Sequence, residues 1–226
     1  MQRATLSGNL VEAVVQMIAD QGLVAGQRLG PQRELAARFG VAVPTMREAL
    51  RRLEGLGIVS LRHGSGIYVG VNHNRSVLPN ALLPRADRER LVELTRARAL
   101  IEPAIAEQAA VVRDPAGLAR LTELLEEARL CLEAGDDRLW RVNVDLHRAI
   151  AATAGNTIVA EVLDVVLLIH AEDQRRILVL HGDPEADLEE HAELVRLITE
   201  GRADLVGDRM RRHLTDVVGA IGTDTS

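Results

Sequence analysis

Residues 33–69 read RELAARFGVAVPTMREALRRLEGLGIVSLRHGSGIYV and carry the signals that decide the fold of the first third of the chain. Glycines close two helical patterns, Pro44 opens the second of them, and a Gly-Ser-Gly turn separates two β-type runs. With an amphipathic helix before it, this order of elements predicts a winged helix-turn-helix over residues 1–70. The predicted elements are helices over 7–21, 33–40 and 44–56 and strands over 58–61 and 67–69.

The remaining two thirds of the chain are predicted to be helical. Apolar residues make up 47% of the 226 residues but aromatic residues only 1%, and an aliphatic core favours helices packed on helices. Residues 71–86 contain two prolines and little periodicity, so we interpret them as a linker. Residues 87–226 predict an antiparallel six-helix bundle, which makes the chain mainly α. The predicted bundle helices cover 87–112, 114–134, 136–154, 156–181, 184–200 and 203–220.

The formal net charge of −6 conceals a split between the two parts of the chain. Residues 1–75 hold nine arginines against five acidic residues, whereas the rest holds 18 arginines against 28, and lysine is absent. A basic first third on an acidic chain suits a modular protein whose first domain meets nucleic-acid phosphates. No stretch predicts a membrane span, and the single Cys131 excludes an intrachain disulfide, so a cytoplasmic location is the expectation.

The predicted recognition helix, 44–56, should present polar side chains to bases and phosphates in the major groove. The helix before it usually contacts the DNA backbone, and the tip of the wing can reach the minor groove. For each residue taken singly the alternative is a solvated surface position, but the set falls on the elements that this geometry demands. The predicted DNA-contacting residues are Arg33, Thr45, Arg47, Arg51, Arg52 and His63.

Residues 33–69 resemble the DNA-binding domain of the GntR family of bacterial transcription regulators. The resemblance includes R-E-L-A at 33–36, the run from Thr45 to Leu50, and later glycines. Family members usually carry Ser then Arg where this chain has Ala42 and Val43, and in characterised members that Arg reads a guanine. The resemblance therefore implies DNA binding and leaves the base preference open. Gly-Pro also replaces the usual Pro-Ser before the second helix, which removes an N-cap hydroxyl worth about 1 kcal/mol.

Spacing groups three histidines of the predicted bundle. The helix break near residue 202 lies 11 residues after His191 and 11 before His213, so an antiparallel helix pair would place both at one height. Asn143 and His147 lie one turn apart on an earlier helix and could complete the group. Three imidazoles and a short oxygen ligand suit zinc, nickel or manganese, with open positions left. The alternative for each histidine is a hydrogen-bonded core residue.

The same residues resemble the FCD-type effector domain of the FadR-like subfamily of GntR regulators. N-V-D-L-H at 143–147 and the two later histidines match its metal motif, and R-A-L-I-E at 98–102 is similar to its R-x-x-L-E. The resemblance implies a divalent metal held by Asn143, His147, His191 and His213. Asn143 stands where the strongest metal binders have Asp, and a neutral amide oxygen is the poorer ligand.

The FCD resemblance also implies a small organic acid bound at or near the metal. Its carboxylate would pair with an arginine, for which Arg98 is the first candidate and Arg175 and Arg176 are the second. The alternative for Arg98 is a structural ion pair with Glu102, one helical turn away.

The leading hypothesis is a homodimeric transcription regulator that binds a pseudo-palindromic operator. Binding of a small carboxylate among the bundle helices would then change its affinity for the operator. A metal-dependent enzyme is one alternative, but the sequence has no His-Glu-x-x-His, no Glu-x-x-His pair and no Gly-x-Ser-x-Gly. A DNA-binding protein whose second domain only dimerises is the other alternative.

Overall fold

The computed structural model describes residues 6–62, 65–76, 87–168 and 171–222. The chain divides into two compact units, Met1–Leu78 and Pro79–Ser226. This division falls inside the predicted linker, 71–86, whose residues 77–86 lie outside the described residues. The domain limits of 1–70 and 87–226 therefore stay a prediction.

The first unit is a winged helix-turn-helix, as the sequence predicts. The hairpin strands β2 and β3 pair in antiparallel fashion from Val59 opposite Val69 to Arg62 opposite Gly66. Gly57, at φ 68°, makes the turn that ends the third helix and leads into the hairpin. In chain order the elements are α1 (Leu6–Asp20), β1 (Arg28–Gly30), α2 (Gln32–Arg38), α3 (Val43–Gly55), β2 (Val59–Arg62) and β3 (Gly66–Val69).

The sheet of this unit has one strand more than the predicted hairpin. Strand β1 pairs with β3, so the strand order is β1-β3-β2. Next to β1, the Val69 N–H donates to the Gln27 carbonyl at 2.8 Å, and the Gly26 N–H donates to the Val69 carbonyl at 2.9 Å. A three-residue strand is too short to show the alternation by which a sequence reveals strands, and this explains why it was not predicted.

The core of the first unit is aliphatic and joins the three helices to the wing. Helix α3 buries Met46, Ala49, Leu50 and Leu53 on one stripe, and its other faces stay exposed. Because this stripe fixes the rotation of α3 about its axis, it also decides which side chains face solvent. The buried apolar residues that complete the core are Leu10, Val14, Met17, Ile18, Leu35, Ala36, Ile58, Val59, Ile67 and Val69.

The second unit is a helical bundle built around a long antiparallel pair, α4 and α10. The guanidinium of Arg88, at the start of α4, donates to the carbonyl of Ile221, at the end of α10. Near the opposite ends of the two helices, Gly207 lies directly against the side chain of Glu107. The helices are α4 (Arg88–Val112), α5 (Pro115–Ala134), α6 (Leu139–Thr153), α7 (Thr157–Leu168), α8 (Ala171–His181), α9 (Pro184–Thr199) and α10 (Ala203–Gly222).

The described part of this unit holds seven helices where the sequence predicts six. The difference lies in the segment predicted as one helix over 156–181, which is described as α7 and α8, with residues 169–170 outside the described residues. No glycine or proline lies between Thr157 and His181, and the prediction of one continuous helix over 156–181 stays open.

The core of the bundle is formed mainly by Leu, Ile, Val and Ala, as the composition indicates. Polar residues are buried inside it as well, and they concentrate where α4, α6, α9 and α10 meet. They include Arg98, Glu102, His147, His191 and His213. No helix among the described residues is long and apolar enough to cross a membrane.

Candidate metal centre and nucleic-acid interface

The recognition helix α3 carries the arginines predicted to meet DNA. Arg47, Arg51 and Arg52 are exposed on it, and Thr45, in its first turn, is half-buried. Arg47 and Arg51 lie one turn apart, on a surface opposite the apolar stripe that packs into the core. A basic exposed face of this kind matches the electrostatic requirement of a major-groove reader.

Two predicted DNA contacts lie on the neighbouring elements. Arg33 is exposed in the first turn of α2, where a backbone phosphate contact is the usual task. His63, at the predicted wing tip, lies outside the described residues. Its neighbour Arg62 is described, and its guanidinium carbon lies 4.2 Å from the centre of the Tyr68 ring, which anchors a positive charge on the wing.

Both helices of the helix-turn-helix start without a side-chain cap. Pro31 precedes α2 and Ala42 precedes α3, and neither offers a hydroxyl to the first backbone N–H groups. The missing cap of α2 follows from the Gly-Pro departure noted in the sequence. The missing cap of α3 arises from Ala42, where family members usually carry Ser.

Three histidines converge inside the bundle. His147 on α6, His191 on α9 and His213 on α10 are all buried, and their ring centres lie 4.7–5.7 Å apart. One ring nitrogen from each lies within 4.8 Å of the other two. The structure thus brings together three of the four predicted metal ligands, from helices far apart in sequence.

Carboxylates hold two of the three rings by their Nδ1 atoms. The His147 Nδ1 lies 2.5 Å from Glu102 Oε2, and the His213 Nδ1 lies 2.6 Å from Glu190 Oε2. When Nδ1 donates to a carboxylate, the neutral imidazole has its lone pair on Nε2, which is the tautomer that binds metals through Nε2. Glu190 is held in turn by Arg209 at 3.1 Å.

Arg98 and Glu102 form a buried ion pair beside the cluster, with Nε and Oε1 2.5 Å apart. Burial raises the pKa of the Glu102 carboxyl, but Arg98 and His147 outweigh it and lower that pKa to about 2. Glu102 is therefore ionised and accepts hydrogen bonds from two partners at once. The structural ion pair that the sequence left open for Arg98 is present.

His147 and His191 have the protonation state that metal binding requires. Burial lowers the pKa of His147 to about 4, against the raising influence of Glu102, and burial together with the neighbouring charged groups lowers the pKa of His191 well below its usual value. Both rings are neutral at pH 7, and only a neutral imidazole can ligate a metal.

The spacing of the rings also fits a divalent ion. The Nε2 atoms of His147 and His191 are 3.2 Å apart. Two nitrogens that bind zinc tetrahedrally at about 2.0–2.1 Å are roughly 3.3 Å apart. The donor set of the cluster therefore fits a nitrogen-preferring divalent metal.

The fourth predicted ligand, Asn143, lines the same cavity as the histidines and forms a hydrogen bond with Asp187. The Asn143 Nδ2 donates to Oδ2 of Asp187 on α9 at 2.6 Å. Asp187 is buried, and burial raises the pKa of its carboxyl. Asp145, two residues along α6, forms an ion pair with Arg148 at 2.6 Å instead of facing the cluster.

A cavity of about 40 Å³ opens onto the histidines. Polar and apolar side chains both line it. Two of the lining histidines, His181 and His191, each have a buried Nδ1 for which the described residues supply no hydrogen-bond partner. The lining residues are Arg98, Trp140, Asn143, Val144, His147, Ile177, Leu178, His181, Asp187, His191, His213 and Val217.

The three arginines predicted to bind an effector are not brought together. Arg98 lines the cavity. Arg175 is exposed, pairs with Asp137 at 2.7 Å and lines a separate pocket of about 400 Å³. Arg176 is half-buried on the same helix and is not among the residues that line the cavity.

Four residues of the centre were not predicted from the sequence as parts of it: Glu102, His181, Asp187 and Glu190. For Asp187 a signal existed, because D-L-E-E-H at 187–191 has the same spacing as N-V-D-L-H at 143–147. For Glu102 the sequence indicated the pair with Arg98, but its contact with His147 had no signal, because the two residues lie 45 apart on different helices. The contact between Glu190 and His213, 23 residues apart, had none either.

A basic winged helix-turn-helix joined to a bundle with a ligand-sized cavity defines the class of DNA-binding transcription regulators. Residues 6–69 match the family described as bacterial regulatory proteins, gntR family, and residues 93–216 match the FCD domain family. The chain belongs to the GntR family, with the winged-helix and FCD architecture of its FadR-like subfamily.

Individual relatives agree with this assignment over nearly the whole chain. LutR of Bacillus subtilis is 28% identical over 209 residues, which cover 89% of this chain and 94% of LutR. An Escherichia coli protein named "Putative L-lactate dehydrogenase operon regulatory protein" is 27% identical, over 94% of this chain and 84% of its own. A solved Streptococcus agalactiae GntR structure matches with a TM-score of 0.76 at 27% identity, over 95% of this chain and 99% of its own. These relatives are regulators and not enzymes.

Proposed function

We propose that this regulator changes its affinity for operator DNA when a small carboxylate binds at or near a divalent metal ion in the bundle cavity. The observation that carries the proposal is the histidine cluster beside a cavity with buried, unpartnered ring nitrogens. Buried polar atoms are nearly always satisfied in native structures, so unpartnered ones beside a cavity indicate a polar ligand.

Zinc, nickel and manganese are the proposed metals. The residues that would hold the ion are His147, His191 and His213, with Asn143 as the oxygen ligand. A bound divalent ion supplies a positive charge and open coordination positions that a carboxylate oxygen can fill.

The cavity supports a small acid as the effector. Its volume of about 40 Å³ corresponds to roughly three water-sized spheres, which suits a carboxylate of few atoms. Trp140, Val144 and Ile177 form an apolar wall for a short carbon chain, and Arg98 supplies a cation on the polar side. The name of the Escherichia coli relative links that protein to an L-lactate dehydrogenase operon, which makes L-lactate the first acid to test.

A homodimer is the proposed assembly. A helix-turn-helix dimer reads two half-sites of a pseudo-palindrome, one recognition helix in each. An apolar surface on α4 and α7 suits contact with a second copy, since Leu100 is 82% exposed and Val112 and Val159 line the same groove. Light scattering of the purified protein should give twice the chain mass of 24.6 kDa, and a monomer in the presence of DNA would contradict the proposal.

The sensing role is tested in two steps. Duplexes that bind the full-length protein are first selected from a random DNA library. The affinity for a selected duplex is then measured by fluorescence anisotropy with metal-loaded protein, with and without L-lactate, acetate, pyruvate or malate. We expect at least one of these acids to change the affinity by about 5- to 150-fold, the usual size of allosteric coupling.

Metal-free protein is the control for this measurement. We expect the acid to lose most of its effect once the metal is removed by a chelator. DNA affinity unchanged by every acid in the presence of zinc, nickel and manganese would contradict the sensing role and favour a second domain that only dimerises.

A further inference from the structure

Two helices present matching pairs of residues to the centre. On α6, Asn143 precedes His147 by four residues, and on α9, Asp187 precedes His191 by four. Residues four apart share one helix face, so each helix offers a histidine and a short oxygen-bearing side chain side by side. Of these two matching pairs, the one on α9 contains a carboxylate and the one on α6 contains an amide.

The hydrogen bond between Asn143 and Asp187 orients the amide. A carboxylate only accepts hydrogen bonds, so the side of Asn143 that faces Asp187 at 2.6 Å is its NH₂ group. The amide oxygen then lies on the other side of the group. Because an amide ligates a metal through its oxygen, this bond holds Asn143 in the orientation that leaves its ligand atom available.

His191 lacks the support that the other two histidines have. Its Nε2 lies 3.2 Å from Nε2 of His147, and no described residue forms a hydrogen bond with its buried Nδ1. The nearest carboxylate oxygen is Oδ2 of Asp187, 3.4 Å from that Nδ1. Glu102 lies 2.5 Å from Nδ1 of His147 and forms a hydrogen bond with it. Asp187 lies next to Nδ1 of His191 in the same way, but at 3.4 Å, and a small movement would form the corresponding bond.

The charged residues around the cavity also favour a role for Asp187 at the metal. The two glutamates that support His147 and His213 pair with Arg98 and Arg209. Asp187 is 5% exposed, and within the described part of the chain the contacts found for its carboxylate are Asn143 and His191. A buried negative charge is costly without a positive partner, and a divalent ion in the cavity would supply one.

We propose that Asp187 is a positioning residue of the metal centre, holding the Asn143 oxygen and the His191 imidazole in place for the ion. It compensates for the neutral amide at position 143 by acting through that amide. The inference rests on the proposed metal site and concerns one residue that the family resemblance does not include.

The experiment uses the full-length protein stripped of metal with EDTA, with nickel and cobalt as probes. Affinities are measured by competition with a chromophoric chelator for the wild type, Asp187→Ala, Asn143→Ala and the double variant. Removal of a supporting group usually costs 10- to 100-fold in metal affinity, and we expect this loss for Asp187→Ala. Asn143→Ala removes a proposed ligand, and we expect a loss at least as large. Since Asp187 acts through Asn143, we expect the double variant to bind no more than about threefold more weakly than the weaker single variant.

The visible spectrum of bound cobalt gives a readout that fold damage would not produce. Loss of one oxygen ligand changes the ligand-field bands, and we expect the same change in Asp187→Ala as in Asn143→Ala. Asp187→Asn keeps an acceptor oxygen and should recover part of the lost affinity. Glu189→Ala removes an exposed charge from the same helix and is the matched control, expected to bind like the wild type.

The outcomes separate the two proposals. A wild type that binds neither nickel nor cobalt contradicts the metal site itself. A wild type that binds metal while Asp187→Ala binds it equally well contradicts only the positioning role. Additive losses in the double variant contradict it too, because they would mean that Asp187 and Asn143 act independently.

Discussion

The DNA-facing surface and the histidine cluster are built in opposite ways. The first uses exposed side chains from two adjacent helices, all within residues 33–55. The second uses buried side chains from α4, α6, α9 and α10, linked by hydrogen bonds from Arg98 through Glu102 to His147 and from there to His191. The contrast shows that a recognition surface can change residue by residue, whereas a buried polar network changes as a unit.

This difference in construction predicts a difference in energetic cost. An exposed arginine loses its own contact when it is replaced, and the neighbouring residues are unaffected. A buried carboxylate with two partners leaves both partners unsatisfied when it is removed, in surroundings where water cannot replace it. The following substitutions test this contrast.

The largest effect is expected from Glu102→Ala. The change leaves the buried guanidinium of Arg98 without its carboxylate, and breaking a buried pair usually costs about 3–5 kcal/mol. Urea unfolding followed by Trp140 fluorescence measures it, because the chain's single tryptophan lies in the second unit. Glu126→Ala removes an exposed partner of Arg129 and should leave the free energy of unfolding close to that of the wild type, because exposed ion pairs contribute little. Equal changes in the free energy of unfolding for Glu102→Ala and Glu126→Ala would contradict the expected difference between buried and exposed ion pairs.

His213→Ala should reduce metal affinity by more than about 100-fold. It removes a direct ligand, and the loss should exceed the 10- to 100-fold that supporting groups contribute. Chelator competition with nickel measures the change. His73→Ala is the control, since His73 lies in the first unit and its Nδ1 bonds the Gly70 carbonyl. Wild-type metal affinity in His213→Ala would place the ion elsewhere.

Arg47→Ala and Arg51→Ala should each weaken DNA binding by about 1–3 kcal/mol if they contact bases. If they contact phosphates, each substitution should instead weaken binding to all DNA sequences about equally. It should also reduce the slope of log K against log salt concentration by about 1. Anisotropy titrations at several salt concentrations measure both quantities. The same variants should keep wild-type metal affinity, and a loss of metal binding in them would contradict the separation of the two regions.

The smallest effect is expected from Ala42→Ser. A serine at this position can cap α3, which now starts without a side-chain cap, and the gain is about 1 kcal/mol. Urea unfolding monitored by circular dichroism measures the gain. Ala42→Val, which offers no hydrogen-bond acceptor, serves as the control with no expected gain. A destabilised Ala42→Ser variant would mean that its side chain cannot reach the first backbone N–H groups.

The sequence predicted the winged helix-turn-helix more completely than the candidate metal site. Every helix of the winged helix-turn-helix and its hairpin followed from local signals, such as Pro44 and the glycines, because turns and caps act over a few residues. The three-residue strand β1 did not, since it is defined by its pairing with β3.

The candidate metal site was predicted only in part for the same reason. His191 and His213 could be paired because an antiparallel hairpin turns equal spacing from one loop into equal height. The placement of α6 against α9, which brings Asp187 to Asn143, depends on packing among several helices. Arg175 and Arg176 were predicted to bind the effector from their place on the predicted helix 156–181, but neither is among the residues that line the cavity.

By itself, the sequence determined the family, the two-part architecture and the three histidines, because these rest on residue types, short spacings and periodic apolar patterns. The tertiary structure alone decided which carboxylates support those histidines. It also decided that the amide of Asn143 faces Asp187, and that of the three candidate arginines Arg98 lines the cavity. The physical reason is that buried polar groups must find partners wherever packing places them, and packing joins residues that the chain keeps far apart.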